Sequence, residues 1–246
     1  MRYRRVLLKL SGQAISGTQD FGFCPEALEH IAEQVLGLHA LGVQVSVVIG
    51  GGNIFRGNLG TMWGIERAEA DNIGMIGTII NSLLLRGVLS SKSQSQVEVR
   101  VMSAIPVNTV AEPFIRLRAI HHLQKGYIVI FAGGTGLPYI TTDYTAAQRA
   151  IETRSDALLF AKNRTRGIFT ADPQVDPQAR LYRQMHYNTI LQKDLRIADH
   201  SAIILAREQR LPIHVFDFAE EGTMLRICQG EDRGTLVAAV EQDRLE

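Results

Sequence analysis

An α/β fold with a mainly parallel central sheet is predicted by three observations. Apolar runs of strand length alternate with longer stretches of helical periodicity, the pattern of β-α-β units. Three of those runs end in small, backbone-exposing residues: Lys9-Leu10-Ser11-Gly12 after Val6-Leu7-Leu8, Gly50-Gly51-Gly52-Asn53 after the next run, and Gly133-Gly134-Thr135-Gly136 after Tyr127-Ile128-Val129-Ile130-Phe131. The chain has 246 residues and 46% hydrophobic content, enough for a large core as one domain or two closely fused lobes.

Each element has its own signal. The first strand is the run that ends at Lys9. Pro25 then stands at a natural first helical position, Leu28, Ile31, Ala32, Val35 and Leu38 recur at three and four, and Gly42 stops the helix. Residues 43–49 form the second strand, a helical stretch covers 64–89, and a strand at 97–102 follows a polar Ser-Gln turn. Glu112-Pro113 is expected to open a helix that ends near Gly126, and 127–131 is a strand. Thr142-Asp143 is expected to cap the helix after the third glycine turn.

The second half is more loosely written. Strands are expected at 157–161, 213–216 and 236–240, with a helix at 198–209. Asp172-Pro173 and Asp176-Pro177 repeat a helix-incompatible dipeptide, so 167–180 is predicted to be an ordered surface loop. A soft boundary between lobes falls near residue 155.

Composition narrows the function. With 26 basic and 25 acidic residues, a net charge of +1 gives no electrostatic reason for a nucleic-acid polymer or a membrane surface as main partner. Cys24 and Cys228 are the two cysteines, with no C-x-x-C pairing, so neither a disulfide framework nor a thiolate zinc site is indicated and a reducing cytoplasm is expected. The start Met1-Arg2-Tyr3-Arg4-Arg5 has the charge of a signal peptide, but the apolar stretch after it breaks at Lys9 and reads better as a strand. No apolar run approaches the roughly 18 residues of a membrane span.

The glycine-rich strand ends suggest one phosphate-binding rim. Glycine lets main-chain N–H groups approach oxyanions, and a following helix adds the positive end of its dipole. Other nucleotide-binding and catalytic motifs are not met. Asn58 and Leu59 stand where a P-loop needs Lys and Ser/Thr, no G-x-G-x-x-G precedes Asp71, and H-E-x-x-H, G-x-S-x-G, H-R-D and D-F-G are missing. What remains is a sheet edge with cations at Lys9, Arg56 and Lys162 and carboxylates at Asp71, Asp143 and Asp199, suited to two phosphorylated ligands. Each has a plainer reading: Lys9 and Lys162 as strand-end charges, Arg56 as a surface loop charge, Asp143 and Asp199 as helix caps.

Longer stretches carry a resemblance. Leu7-Leu8-Lys9-Leu10-Ser11-Gly12, Val47 through Gly57, Met102-Ser103-Ala104-Ile105-Pro106, Ala132 through Gly136 with Pro138, Thr141-Thr142-Asp143, Gly167 through Pro173 and Leu211-Pro212-Ile213 stand in order along nearly the whole chain. In these the sequence resembles the bacterial uridylate kinases (UMP kinases) of the amino-acid-kinase superfamily. The Met-Ser-Ala-Ile-Pro stretch separates that family from the acetylglutamate, carbamate and aspartate kinases.

The resemblance implies a single three-layer α/β/α sandwich spanning 1–246, with a UMP-binding N-terminal lobe to about residue 155 and an ATP-binding C-terminal lobe beyond it. It implies ATP-dependent phosphorylation of UMP to UDP in pyrimidine biosynthesis, with Mg²⁺ accompanying ATP. Lys9, Leu10, Ser11, Gly12, Gly52 and Arg56 would face the ATP phosphates, and Asn163, Phe169 and Asp172 would line the adenosine pocket. Gly51, Asp71 and the segment Thr135, Gly136, Leu137, Pro138, Tyr139, Ile140, Thr141 and Thr142 would hold UMP, with Asp71 on the ribose hydroxyls. Lys9, Lys162, Asp143 and Asp199 are the implied catalytic set, and no direct protein ligand to the metal is assigned. A homohexamer, GTP activation and UTP inhibition are family properties.

The chain departs from the family at Gln13 (usually Glu), Leu137 (usually Asn), Tyr144-Thr145 (usually Ser-Ala) and Thr165-Arg166 (usually Val-Asp). Leu137 removes a polar side chain from the uridylate loop, and Arg166 reverses a charge beside the nucleotide loop. Two other readings stand beside the kinase: a non-catalytic nucleotide-binding or molybdenum-storage-like protein of the same fold, and a kinase for another small phosphorylated acceptor.

Overall fold

The computed structural model describes residues 1–173, 175–195 and 197–246, with the side chains of Asn58 and Thr61 outside the description. In chain order the elements are β1 (Arg5–Leu10), α1 (Gln13–Ser16), α2 (Pro25–Ala40), β2 (Gln44–Ile49), α3 (Gly57–Met62), α4 (Arg67–Lys92), β3 (Val99–Ser103), β4 (Glu112–Pro113), α5 (Arg116–Gln124) and β5 (Ile128–Ala132). There follow α6 (Thr142–Glu152), β6 (Ala157–Lys162), β7 (Tyr182–His186), α7 (Tyr187–Gln192), α8 (His200–Glu208), β8 (Ile213–Asp217), α9 (Thr223–Gln229), β9 (Thr235–Ala238) and β10 (Arg244–Leu245).

The strands form one sheet in the order β10-β7-β9-β8-β6-β1-β2-β5-β3-β4. Most pairs are parallel; β8 with β9 and β10 with β7 are antiparallel. β1 lies between β2 and β6, with Leu10 beside Ile49 and Lys9 beside Phe160, so the first two glycine turns leave the same edge next to each other.

Because successive strand side chains alternate between faces, β1 divides its residues between two cores. Val6, Leu8 and Leu10 pack with Val35 of α2, Leu85 of α4 and Ile227 of α9. Leu7 packs with Leu123 of α5, Ala147 of α6, Ile190 of α7 and Ile203 of α8. Strands buried on both faces read as continuous apolar runs, and helices covering each face complete the three layers.

Three expectations are corrected. Glu112-Pro113 does not open a helix but forms β4 beside β3 at the end of the sheet, where Pro113 can lack an N–H without breaking an interior ladder. The cap of α6 is Thr141, whose Oγ1 accepts from the N–H of Tyr144 at 3.2 Å, which leaves the Asp143 carboxylate free for tertiary contacts. And α4, at 26 residues, is long and apolar enough by length and composition to cross a membrane. In this fold one face of it packs in the core through Ile79, Leu85 and Leu89, with Thr78, Asn81 and Ser82 buried and hydrogen-bonded, while Ile73, Ile76 and Ile80 are exposed.

Candidate active site

β1 aims Lys9 to the face covered by α6, since Lys9 is two residues from inward-facing Leu7. Its Nζ lies 2.7 Å from Asp143 Oδ1 and 4.5 Å from the centre of the Phe160 ring. Lys162, two residues beyond Phe160 on β6, places its own Nζ 4.9 Å from the same ring. One aromatic ring thus supports two ammonium groups. Burial pushes the Lys162 pKa below the ordinary lysine value, repulsion from Lys9 adds to this, and Asp143 opposes it.

Asp143 Oδ2 accepts from the main-chain N–H of Asp199 at 3.2 Å, which ties the first turn of α6 to the start of α8. Asp199 is the N-cap of α8, its Oδ1 accepting from Ser201 N at 3.1 Å. Partial burial raises its pKa, but hydrogen bonds from Ser201 and Thr141 outweigh that and hold it below the usual carboxylate value. The capping reading of Asp199 therefore describes its geometry, whereas the capping reading of Asp143 does not.

The glycine turns meet. A Cβ on Gly12 would lie 2.6 Å from Asn53 Oδ1 and 2.7 Å from Gly52 N, and one on Gly51 would lie 2.4 Å from Gly74 O of α4. Only glycine permits these approaches. The third turn joins through α4 as well: Gly133 N donates to Thr78 Oγ1 at 2.8 Å, and Gly133 itself has φ +72°.

Buried amides lock the second turn. Asn81 Nδ2 donates to Gly50 O at 2.8 Å and to Asn53 Oδ1 at 2.7 Å, while Asn53 Nδ2 donates back to Asn81 Oδ1 at 3.1 Å. Arg56 Nε reaches Gly52 O at 3.2 Å and its Nη2 reaches Asp20 O at 2.9 Å, so it braces the turn as well as bearing charge. Below the third turn, buried Arg149 donates to Gly134 O at 3.1 Å and to Glu152 Oε2 at 2.6 Å.

A cavity of about 290 Å³ opens between these turns, lined by Gly51, Gly52, Asp71, Gly134, Leu137 and Thr142 among others. Asp71 accepts from Arg67 Nε and from the N–H of Tyr139. Ile140 and Thr141 also line this space. Asn163 instead lines a separate cavity of about 570 Å³ with Gln13, His30 and Phe218. Phe169 forms a bridge with Leu181, and Asp172 lies on the exposed loop, its carbonyl accepting from Val175 and Asp176. Arg166 sits 3.8 Å from Glu246 and is largely exposed.

Reading the sequence missed Thr78, Asn81, Arg67 and Arg149. The signal for Asn81 was an amide inside the apolar helical run Ile79-Ile80-Asn81-Ser82-Leu83. Arg67 and Asp71 stood at i, i+4.

Among the described residues no cluster of three or more His, Cys, Asp or Glu side chains could hold a metal by itself. Both Asp143 oxygens are already engaged, by Lys9 and by Asp199 N–H. This donor set suits Mg²⁺ held mainly by nucleotide phosphates and water, a hard cation that dehydrates reluctantly.

The fold, with cations and glycine turns gathered at one sheet edge, defines the amino-acid-kinase class: the model of the amino acid kinase family matches residues 4–217. The chain is 51% identical to a uridylate kinase of Frankia casuarinae over 238 residues, 97% of this chain and 91% of that one. The crystal structure of a UMP kinase from Bacillus anthracis aligns with TM-score 0.97 and 54% identity, covering all of both chains. One from Ureaplasma parvum aligns at 0.89 with 31% identity, covering 97% and 100%. The chain belongs to the uridylate kinase family.

Proposed function

We propose that this protein transfers the γ-phosphoryl group of ATP to UMP, giving UDP and ADP, as a step of pyrimidine nucleotide synthesis. The observation that carries the reading is the Lys9 ammonium held 2.7 Å from Asp143 beside the meeting point of the glycine turns. A phosphate monoester with second pKa near ~6 is largely dianionic at neutral pH, so its attacking oxygen needs no general base. One phosphate oxygen of UMP forms the new P–O bond in line as the bond from the γ-phosphorus to the β-bridging oxygen breaks, and the electron pair leaves on ADP.

The barrier is repulsion between anions, and positioning with charge neutralisation lowers it. Lys9 and the N–H groups at Leu10, Ser11, Gly12 and Gly52 hold the donor phosphates together with Arg56, and Lys162 supplies a second cation. Gly51, Asp71 and residues 135–142 hold UMP, while Asn163, Phe169 and Asp172 hold adenosine. Asp143 and Asp199 orient the lysines and the waters of Mg²⁺; when bound with ATP, the metal supplies further neutralisation of the phosphates. Acceptor-binding residues up to about 155 and donor-binding residues beyond it make up two functional lobes.

The protein acts in the cytoplasm as a homohexamer, with GTP as activator and UTP as inhibitor. Supporting self-association, α4 exposes Ile73, Ile76 and Ile80, and an apolar groove of about 730 Å³ runs between α2 and α4 past Phe23, Leu28, Ile80 and Leu84.

Acceptor profiling with saturating Mg-ATP tests the reaction: UDP formation in preference to products from CMP, AMP and small phosphorylated metabolites is expected. Turnover of another phosphate with none of UMP would overturn it.

A further inference from the structure

Arg67 opens α4, and its Nε stands 3.0 Å from both Oδ1 and Oδ2 of Asp71 one turn on. Its guanidinium also lies over the Tyr139 ring, 5.7 Å from the centre. Tyr139 completes a triangle. Its N–H donates to Asp71 Oδ2 at 2.8 Å from a left-handed backbone with φ +66°, a conformation that needs local compensation in a residue with a Cβ.

As an exposed i, i+4 ion pair, Arg67 with Asp71 contributes little to stability. Its effect is geometric. A free carboxylate turns about its terminal torsion and offers about four acceptor positions; here Oδ2 receives Tyr139, Arg67 straddles both oxygens, and acceptor capacity remains on Oδ1. Arg67 and Asp71 line the same cavity as Leu137 and Ile140.

We propose that Arg67 is a positioning residue that, through Asp71, sets the preference of this site for ribonucleotide over 2′-deoxyribonucleotide acceptors. The inference rests on the reading of the cavity as the UMP site. A ribose presents vicinal hydroxyls to an oriented carboxylate, and a deoxyribose presents one fewer, leaving the carboxylate short of a donor. A site built to pair a hydroxyl rejects the analogue without it far more strongly than a site that merely has room for it. Without Arg67 the carboxylate turns away from the paired hydroxyls, and both sugars bind similarly.

The test compares kcat and KM for UMP and dUMP, at saturating Mg-ATP, in the unaltered protein and in Arg67→Met, Arg67→Lys and Asp71→Asn. Arg67→Met is expected to lower the UMP/dUMP ratio of kcat/KM about ten-fold through the KM for UMP, with kcat and the KM for ATP unchanged. Arg67→Lys restores part of the ratio. An unchanged ratio in Arg67→Met while Asp71→Asn lowers it overturns this inference alone. An unchanged ratio in both variants overturns it along with the ribose role of Asp71, and absence of UMP turnover in the unaltered protein overturns the functional reading on which both rest.

Discussion

Asp143 and Lys9 form a partly sequestered ion pair, 2.7 Å between Oδ1 and Nζ, with only 9% of the lysine side chain exposed. The pair is asymmetric. Asp143 keeps a second partner in the Asp199 N–H, whereas Asp143 is the one carboxylate among the described residues that forms a salt bridge with Lys9.

The asymmetry separates two variants. Lys9→Met is expected to lower kcat about 10³-fold, since in the proposed mechanism its charge acts on the transferring phosphoryl group, and to cost less stability than the loss of Asp143, because Asp143 keeps the Asp199 N–H. Asp143→Asn leaves a buried ammonium without its counter-charge and is expected to cost roughly 3 kcal/mol. Initial rates with Mg-ATP and UMP, paired with urea unfolding, check both; unchanged kcat in Lys9→Met removes Lys9 from the transfer step.

Lys162 makes a pH prediction. Its pKa is lowered chiefly by burial, so its ammonium is lost at a lower pH than that of an ordinary lysine, and the alkaline limb of the rate profile should begin below 10.5. Asp143 raises this pKa, so Asp143→Asn should move the limb to still lower pH. Removing the neighbouring cation in Lys9→Met should shift Lys162 upward, which NMR titration of isotopically labelled lysine reads without requiring activity. A Lys162 titration unmoved by either variant contradicts the proposed proximity of the three groups.

Two glycines should respond oppositely to alanine. At Gly12 the added methyl meets Asn53 and Gly52 backbone at under 3 Å, so the first two turns must separate. If these turns hold the donor phosphates as proposed, a misplacement of about 1 Å is expected to cost about a hundred-fold in rate. Gly37, inside α2 with nothing within 4 Å, should gain roughly 0.5–1 kcal/mol from the same change through helix propensity. Equal effects at the two positions in thermal unfolding and in rate would show that the Gly12 contact is not limiting.

The parts of the fold legible in the sequence are those marked by chemistry that acts locally. Pro25 and Gly42 bracket α2 because one presets the first helical turn and the other tolerates the left-handed exit, here at φ +79°. The strand ends at Lys9, Gly50 and Gly133 were readable for the same reason. β7 and α7 were not: Tyr182 through Gln192 carries neither clear alternation nor a breaker, and its strand exists through pairing with β9 and β10. α9 was also missed, although Gly222 and Gly230 flank it in left-handed conformations.

Legibility of the site divides along the same line. Lys9 and Asp143 could be singled out by position, but their pairing depends on β1 and α6 packing across more than a hundred residues of chain. Thr141 rather than Asp143 capping α6 is a choice of one residue in register, which composition does not decide. The Asn53 and Asn81 amides form a reciprocal pair only once α4 lies against the second turn, so neither residue alone announced the other.

The central place of β1 has a consequence for synthesis. One of its edges is covered by β2, whose last residue is Ile49, but the other waits for β6, which begins at Ala157. A nascent chain emerging from the ribosome therefore carries an apolar strand with one bare hydrogen-bonding edge from Leu10 until Ala157 has been made, a long-range closure that slows folding and invites pairing with neighbouring chains. β1 thus waits longer for its second neighbour than β2, β3 or β5 does.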